Sequence, residues 1–163
     1  MKPMFLALAV ALLAVLAKAT PVSADDLIKA WPTGGWEGGA FKDQTTGEVY
    51  CLLWHEYGNF LEIELGIDSH GYYIVLTDPD TFEFTSQEPF GAALQIDSSA
   101  AVEFQAYADS AGTMVVDIAA NAEFIQQLAS GNRLVLPGFG SSFGLDGSSA
   151  AVAALQNCYA QSR

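Results

Sequence analysis

Gly140-Ser141-Ser142-Phe143-Gly144 has the residue types of a nucleophile elbow, the G-x-S-x-G turn on which an acyl hydrolase exposes its serine. Ser142 would be the nucleophile. That chemistry needs a strand running straight into a helix at the turn, with an acid and then a histidine further along the chain. Both histidines, His55 and His70, precede Ser142, and the next helical pattern starts several residues late. The segment therefore reads as a Gly-rich loop, held at both ends and free to present Phe139, Ser141, Ser142 and Phe143 as a binding surface.

A second candidate is polar. Pairing Tyr57 with Phe60 across Gly58-Asn59 sets His55 opposite Glu62, with Glu64 two residues further along. Such a pair suits a general base steadied by a carboxylate, or two ligands of a metal. A metal needs a third ligand, and only His70, Asp68 and Glu56 lie near in sequence, so no metal or other cofactor is assigned. The plainer role is a cross-strand pair on a solvated strand. Asp78-Pro79-Asp80 begins like a calcium loop, but the ligands and glycine required further on do not follow, which leaves a turn. Trp31, Trp36, Phe82, Phe84, Phe90, Phe139 and Phe143 fall in loops or near strand ends, where aromatic rings either plug a core or form a recognition patch.

The elements that must position these residues follow from periodicity. Alternation over Val49 to Glu56, Phe60 to Ile67 and Tyr72 to Thr77 predicts a meander. Its buried face would carry Leu52, Trp54, Leu61, Ile63, Leu65, Ile67, Tyr72, Ile74 and Leu76. Cys51, Leu53 and His55 would then share the outward face. A second meander spans Ala92 to Ile96, Val102 to Tyr107 and Thr113 to Ile118. Two amphipathic meanders without helical crossovers best bury their apolar faces against each other, so the expected fold is mainly β, an antiparallel β-sandwich with two short helices in the C-terminal third. Those helices are Asn121 to Ala129, with an Asn cap and Gly131 beyond its end, and about Ser148 to Tyr159. Arg133 to Leu136 reads as a short strand, and Asp25 to Ala30 as an unstructured tail.

Residues 1–24 have the pattern of a cleaved secretory signal peptide: Met1-Lys2-Pro3, an apolar run from Met4 to Ala17, and Val22-Ser23-Ala24 ahead of Asp25. The run is shorter than the ~20 residues that cross a bilayer, so no membrane span is expected after cleavage, and residues 25–163 form one domain. The whole chain has six Lys and Arg against 19 Asp and Glu, a net of −13. Without Lys2 and Lys18 the net is −15, which excludes nucleic acid as a partner because phosphate binding needs clustered cations. In the oxidising compartment that a leader implies, Cys51 and Cys158 are expected to pair and to tie the last helix to an early strand.

The order of these features resembles a family. A Trp-Glu-Gly-Gly-Ala-Phe strand, Cys51, the meanders, "FIQQLASGNRLVL" and the terminal "FGLDGSSAAVAALQNC" are together similar to the invasion-associated locus B (IalB) proteins, small exported proteins of alphaproteobacteria. The likeness runs from Trp36 to Cys158, is most specific from Phe124 to Leu155, and is that of a distant relative. A further Gly-Cys pair of that family is replaced here by "YADSAGTMVVDI". The resemblance implies an exported β-sandwich without known catalytic residues, linked in its founder to entry into host cells, and it transfers no site residue.

The sequence thus leads to an acidic, periplasmic or secreted, non-enzymatic protein that binds a protein or cell-envelope component and is invasion-associated by resemblance. Two alternatives stay open: an inhibitor or immunity-type protein against a basic enzyme, and a hydrolase using His55 and Glu62.

Overall fold

The computed structural model describes residues 25 to 119 and 121 to 162, so the leader assigned to residues 1 to 24 lies outside the described residues. Two strands come first, β1 (Asp26–Ala30) and β2 (Glu37–Lys42). The first meander follows as β3 (Val49–Gly58), β4 (Leu61–Asp68) and β5 (Gly71–Thr77), and the second as β6 (Phe90–Ile96), β7 (Val102–Ser110) and β8 (Thr113–Ala119). The chain continues through α1 (Ala122–Ser130), β9 (Arg133–Leu136), β10 (Ser141–Gly144) and α2 (Ser148–Gln161).

The mainly antiparallel β class is as the sequence predicts, but the connectivity differs from two separate sheets. β5 pairs with β8, which joins the meanders into one ten-stranded sheet in the order β1-β2-β3-β4-β5-β8-β7-β6-β9-β10. The sheet curls, and its β10 end returns to the start. The Tyr57 hydroxyl donates to the Gly144 carbonyl, and Trp36 Nε1 donates to the Asp146 carbonyl at 2.9 Å. Its concave face buries Leu53, Ile63, Leu65, Ile74, Leu76, Met114, Val116, Ala106 and Leu94, in one core with residues of both helices. Each large aliphatic side chain taken out of water there stabilises the fold by about 1.5–3 kcal/mol.

Two of the assigned boundaries change. The segment from Asp25 to Ala30 is largely a strand, although all five residues of β1 are exposed, because backbone pairing to β2 holds it. The Gly-rich loop contains a second strand, β10, which pairs with β9 around a turn at Gly140, whose φ of 73° suits glycine.

The register of β3 with β4 is also corrected, by one residue. The tight turn is Asn59-Phe60, both at positive φ, with Gly58 opposite Leu61 and Tyr57 bulged out of the ladder. Cys51 faces Ile67, Leu53 faces Leu65 and His55 faces Ile63. One step of slip exchanges the faces of a strand, so Cys51 and Leu53 point into the core while Leu52 and Trp54 point outward.

α1 is built as its sequence indicates. Asn121 caps it by accepting from the Phe124 amide at 3.0 Å, and Phe124, Ile125 and Leu128 are buried. Gly131 serves space more than backbone freedom: its φ of −82° is ordinary, but a Cβ there would overlap Ile96. α2 packs on α1, β2, β3 and β4 through Ala151, Val152, Leu155 and Cys158, and Cys158 is bonded to Cys51 with the two Cα atoms 6.2 Å apart. Buried Ser148 donates to the Leu128 carbonyl at 2.9 Å, satisfying an acceptor near the end of α1. Phe124 of α1 meets Phe104 of β7 edge-to-face at 4.8 Å. Both helices therefore lie on one side of the sheet. Among the described residues, no helix lies over the other side.

Candidate functional site

The residues singled out by sequence do not assemble into a reaction centre. Ser142 sits within strand β10, exposed and opposite Val135, rather than at a strand-to-helix turn. Its neighbours point the other way: Phe143 is fully buried, and Ser141 is buried with its hydroxyl bonded to the Asp78 carboxylate. Phe139 is half-buried in a four-ring cluster with Phe82, Phe84 and Phe90, at centroid distances of 5.4 to 6.3 Å. The loop thus does not present both phenylalanines, since its rings close the core. Asp78-Pro79-Asp80 is a turn, in which the Asp78 carbonyl accepts from the Phe82 amide at 2.8 Å.

The His55–Glu62 pair is not formed either. Glu62 faces Glu56, and neighbouring positions on a strand point to opposite faces, so the carboxylate and the imidazole diverge. His55 Nδ1 lies 2.8 Å from the Gly35 carbonyl and donates to it, while the ring packs on Trp36 at 5.6 Å and against Tyr57 at 4.6 Å. It fastens the loop before β2 to β3. Among the described residues no group of three His, Cys, Asp or Glu side chains is placed to hold a metal ion.

What the corrected register does assemble is the helix-free face of the sheet. One row of directly paired residues crosses six strands: Glu37, Trp54, Glu64, Val75, Val115 and Tyr107. The next row holds Leu52, Gly66, Tyr73 and Asp117. Tyr73 lies flat across Gly66, where any Cβ would overlap its ring. Phe41 and Tyr50 stack at 5.5 Å at the β2 side, and Tyr107 is 45% exposed at the β7 side. Between them a groove of about 410 Å3 is lined by Tyr73, Val75, Tyr107, Val115, Asp68 and Asp117. The rim is mainly acidic, because Glu56, Glu62, Asp68, Asp109 and Asp117 share this side, with His70 beside Asp68 at one end of the groove. None of β2 to β5, β7 and β8 carries a Lys or Arg on it.

Glu64 records how dry and how negative this face is. Burial, then hydrogen bonding and repulsion from Glu62 and the charge of Asp109, push its carboxyl up to about 7. A raised carboxyl pKa means that the folded state holds the proton more tightly than the unfolded chain does. This group therefore supports stability fully at low pH and loses that support as pH rises from about 4.5 through about 7. Glu64→Gln is expected to abolish that part of the slope and, allowing for solvent screening, to leave the variant more stable than wild type by about 1–2 kcal/mol at pH 8 and equal to it near pH 4. Urea melts of both proteins across this range check it; parallel pH profiles would refute it.

No family model matches the sequence, and no curated protein matches it. Among solved structures, one comparison is informative. The fold resembles that of invasion associated protein B from Bartonella henselae. The TM-score is 0.58 at 17% sequence identity, over 83% of this chain and 99% of that one. At that identity the likeness concerns the fold, in agreement with the resemblance carried by the C-terminal helix and strand patterns.

Proposed function

We propose that the chain is an exported, non-enzymatic binding protein whose uncovered sheet face docks a basic protein or cell-envelope component. The observation that carries this reading is the combination of Trp54, Tyr73 and Tyr107 with a carboxylate rim on the outer face of β2 to β5, β7 and β8, where those strands place no Lys or Arg. Lys and Arg side chains of a partner would lie over the tyrosine and tryptophan rings while neutralising Glu62, Glu64 and Asp117. Export is supported by the leader pattern of residues 1–24 and by the Cys51–Cys158 bridge, whose chemistry belongs to an oxidising compartment. The similar protein is named for invasion, and contact with a host surface is the finer form of this reading. Inhibition of a basic enzyme would use the same face by the same chemistry, and the identity of the partner separates the two.

Tyr107→Lys and Val115→Lys test it. Both positions lie on the outer face and away from the core, so folding should be retained. The wild-type protein should retain a basic partner from envelope or host-surface extracts at low salt, release it at high salt, and lose it at least 10-fold in either variant. Retention that is unchanged in both variants would exclude this face.

A further inference from the structure

The groove between Tyr73 and Tyr107 has a flat aromatic platform, an apolar floor and a carboxylate on either side. Tyr73 is the platform. Gly66, directly across on β4, has no side chain to lift the ring, so one ring face lies on the backbone and the other is left to the groove. Each neighbouring strand brings a carboxylate: Asp117 of β8 is paired with Tyr73, and Asp68 of β4 lies two positions beyond Gly66 on the same face. Val75 and Val115, paired with each other in the next row, make the floor, and Tyr107, paired with Val115, bounds it on β7.

Both carboxylates are open to a partner. Asp117 is exposed and has no hydrogen bond or ion pair among the described residues. Asp68 Oδ1 accepts from the His70 and Gly71 amides of its turn at 2.7 and 3.1 Å, with the exposed His70 ring 3.6 Å from the same oxygen, which leaves Oδ2 for another donor. Burial, then the charges of Asp109, Asp117 and Asp68, push the Tyr107 hydroxyl up, and burial, Tyr50 and then Asp68 do the same at Tyr73. The same carboxylates thus act on both rings. Lys29, Lys42 and Arg133 stand on β1, β2 and β9, outside the groove, so the cation that complements it must come from another molecule.

We infer that this groove, as part of the docking face proposed above and resting on that reading, takes an arginine side chain of the partner. The guanidinium stacks on the outer face of Tyr73, and its N–H groups, which lie in its own plane, reach sideways to Asp68 and Asp117. The aliphatic stem lies on Val75 and Val115 beside Tyr107. A lysine ammonium is a compact, strongly hydrated charge with no plane, so it gains less from a flat ring flanked by two carboxylates. A bound metal ion is not the alternative, since among the described residues no three ligands gather here.

The probe is the blocked tripeptide Gly-Arg-Gly, titrated into the protein at low salt and followed by backbone amide chemical shifts, with Gly-Lys-Gly and Gly-citrulline-Gly as comparisons. Gly-Arg-Gly should saturate one site, move the Gly66, Tyr73, Val115 and Asp117 amides, and bind about 10-fold more tightly than Gly-Lys-Gly. Citrulline has the same shape without the charge and should not bind measurably. Asp117→Asn and Tyr107→Ser, both at exposed positions, should each weaken Gly-Arg-Gly several-fold with the melting temperature kept. No saturable binding of Gly-Arg-Gly, equal binding of the lysine or citrulline peptide, or undiminished binding in both variants would each overturn the inference. Partner retention lost in Val115→Lys alongside equal affinity for the arginine and lysine peptides would keep the docking face and remove the arginine pocket. Arginine selectivity with partner retention unchanged in that variant would keep the pocket and remove the docking face.

Discussion

Replacing Cys51 and Cys158 together by alanine is expected to lower the stability of the folded chain by about 3–4 kcal/mol and its melting temperature by about 10 °C or more. The bridge closes a loop of 107 residues, for which chain entropy sets an upper figure of about 4–5 kcal/mol. It joins the first residue pair of the β3–β4 ladder, Cys51 opposite Ile67, to the last helix, and Cys51 is fully buried there. α2 keeps other anchors, since Ala151, Val152 and Leu155 stay in the core and Ser148 stays bonded to α1. The double variant should therefore fold and unfold in one transition, only earlier. Urea and thermal melts of wild type with and without reductant check this independently of the substitution. A melting temperature that reductant leaves unchanged would show that the bridge is not formed in solution.

Period-two alternation was enough to find β3 to β8, and a cap with helical spacing was enough to find α1, because in those segments local pattern and burial agree. Elsewhere they part company. β1 has no buried residue, so nothing in its side chains announces a strand that backbone pairing alone maintains. β10 is short and begins directly after a glycine turn, and its buried Ser141 and Phe143 alternate over too few positions to outweigh the punctuation around them. The β3–β4 register turned on whether Gly58-Asn59 or Asn59-Phe60 makes the turn. A phenylalanine at positive φ is unfavourable in isolation, and only the bulge at Tyr57 with the burial of Cys51 and Leu53 makes it the better choice.

The candidate site was hidden by the same single step. With Trp54 assigned to the core and His55 to the surface, the outer row of Trp54, Glu64, Val75, Val115 and Tyr107 does not exist as a row. One legible hint remained. Gly66 within an otherwise apolar strand marks a close approach, and the group that approaches is the Tyr73 ring on that outer face. Pairing beyond nearest neighbours, above all β5 with β8, then decides which aromatics and carboxylates share a surface, and no local pattern encodes it.

The β9–β10 hairpin gives the sharpest contrast between neighbouring residues. Phe143→Ala is expected to cost about 3–5 kcal/mol, the range for emptying a buried phenylalanine site, whereas Ser142→Ala should fall within about 0.5 kcal/mol of wild type. Phe143 is fully buried, lies opposite Leu134 across the hairpin, and meets the Tyr57 ring edge-to-face at 6.2 Å. Tyr57 in turn donates to the Gly144 carbonyl, so the ring sits where the curled sheet returns upon itself, and a cavity there loosens both ends of the closure. Ser142 points outward from the same strand and touches none of this. Urea melts of the two single variants measure the difference directly. If Phe143→Ala were as stable as Ser142→Ala, the ring would be presented to solvent and the hairpin would again qualify as a binding loop; a gap of several kcal/mol assigns it to the core.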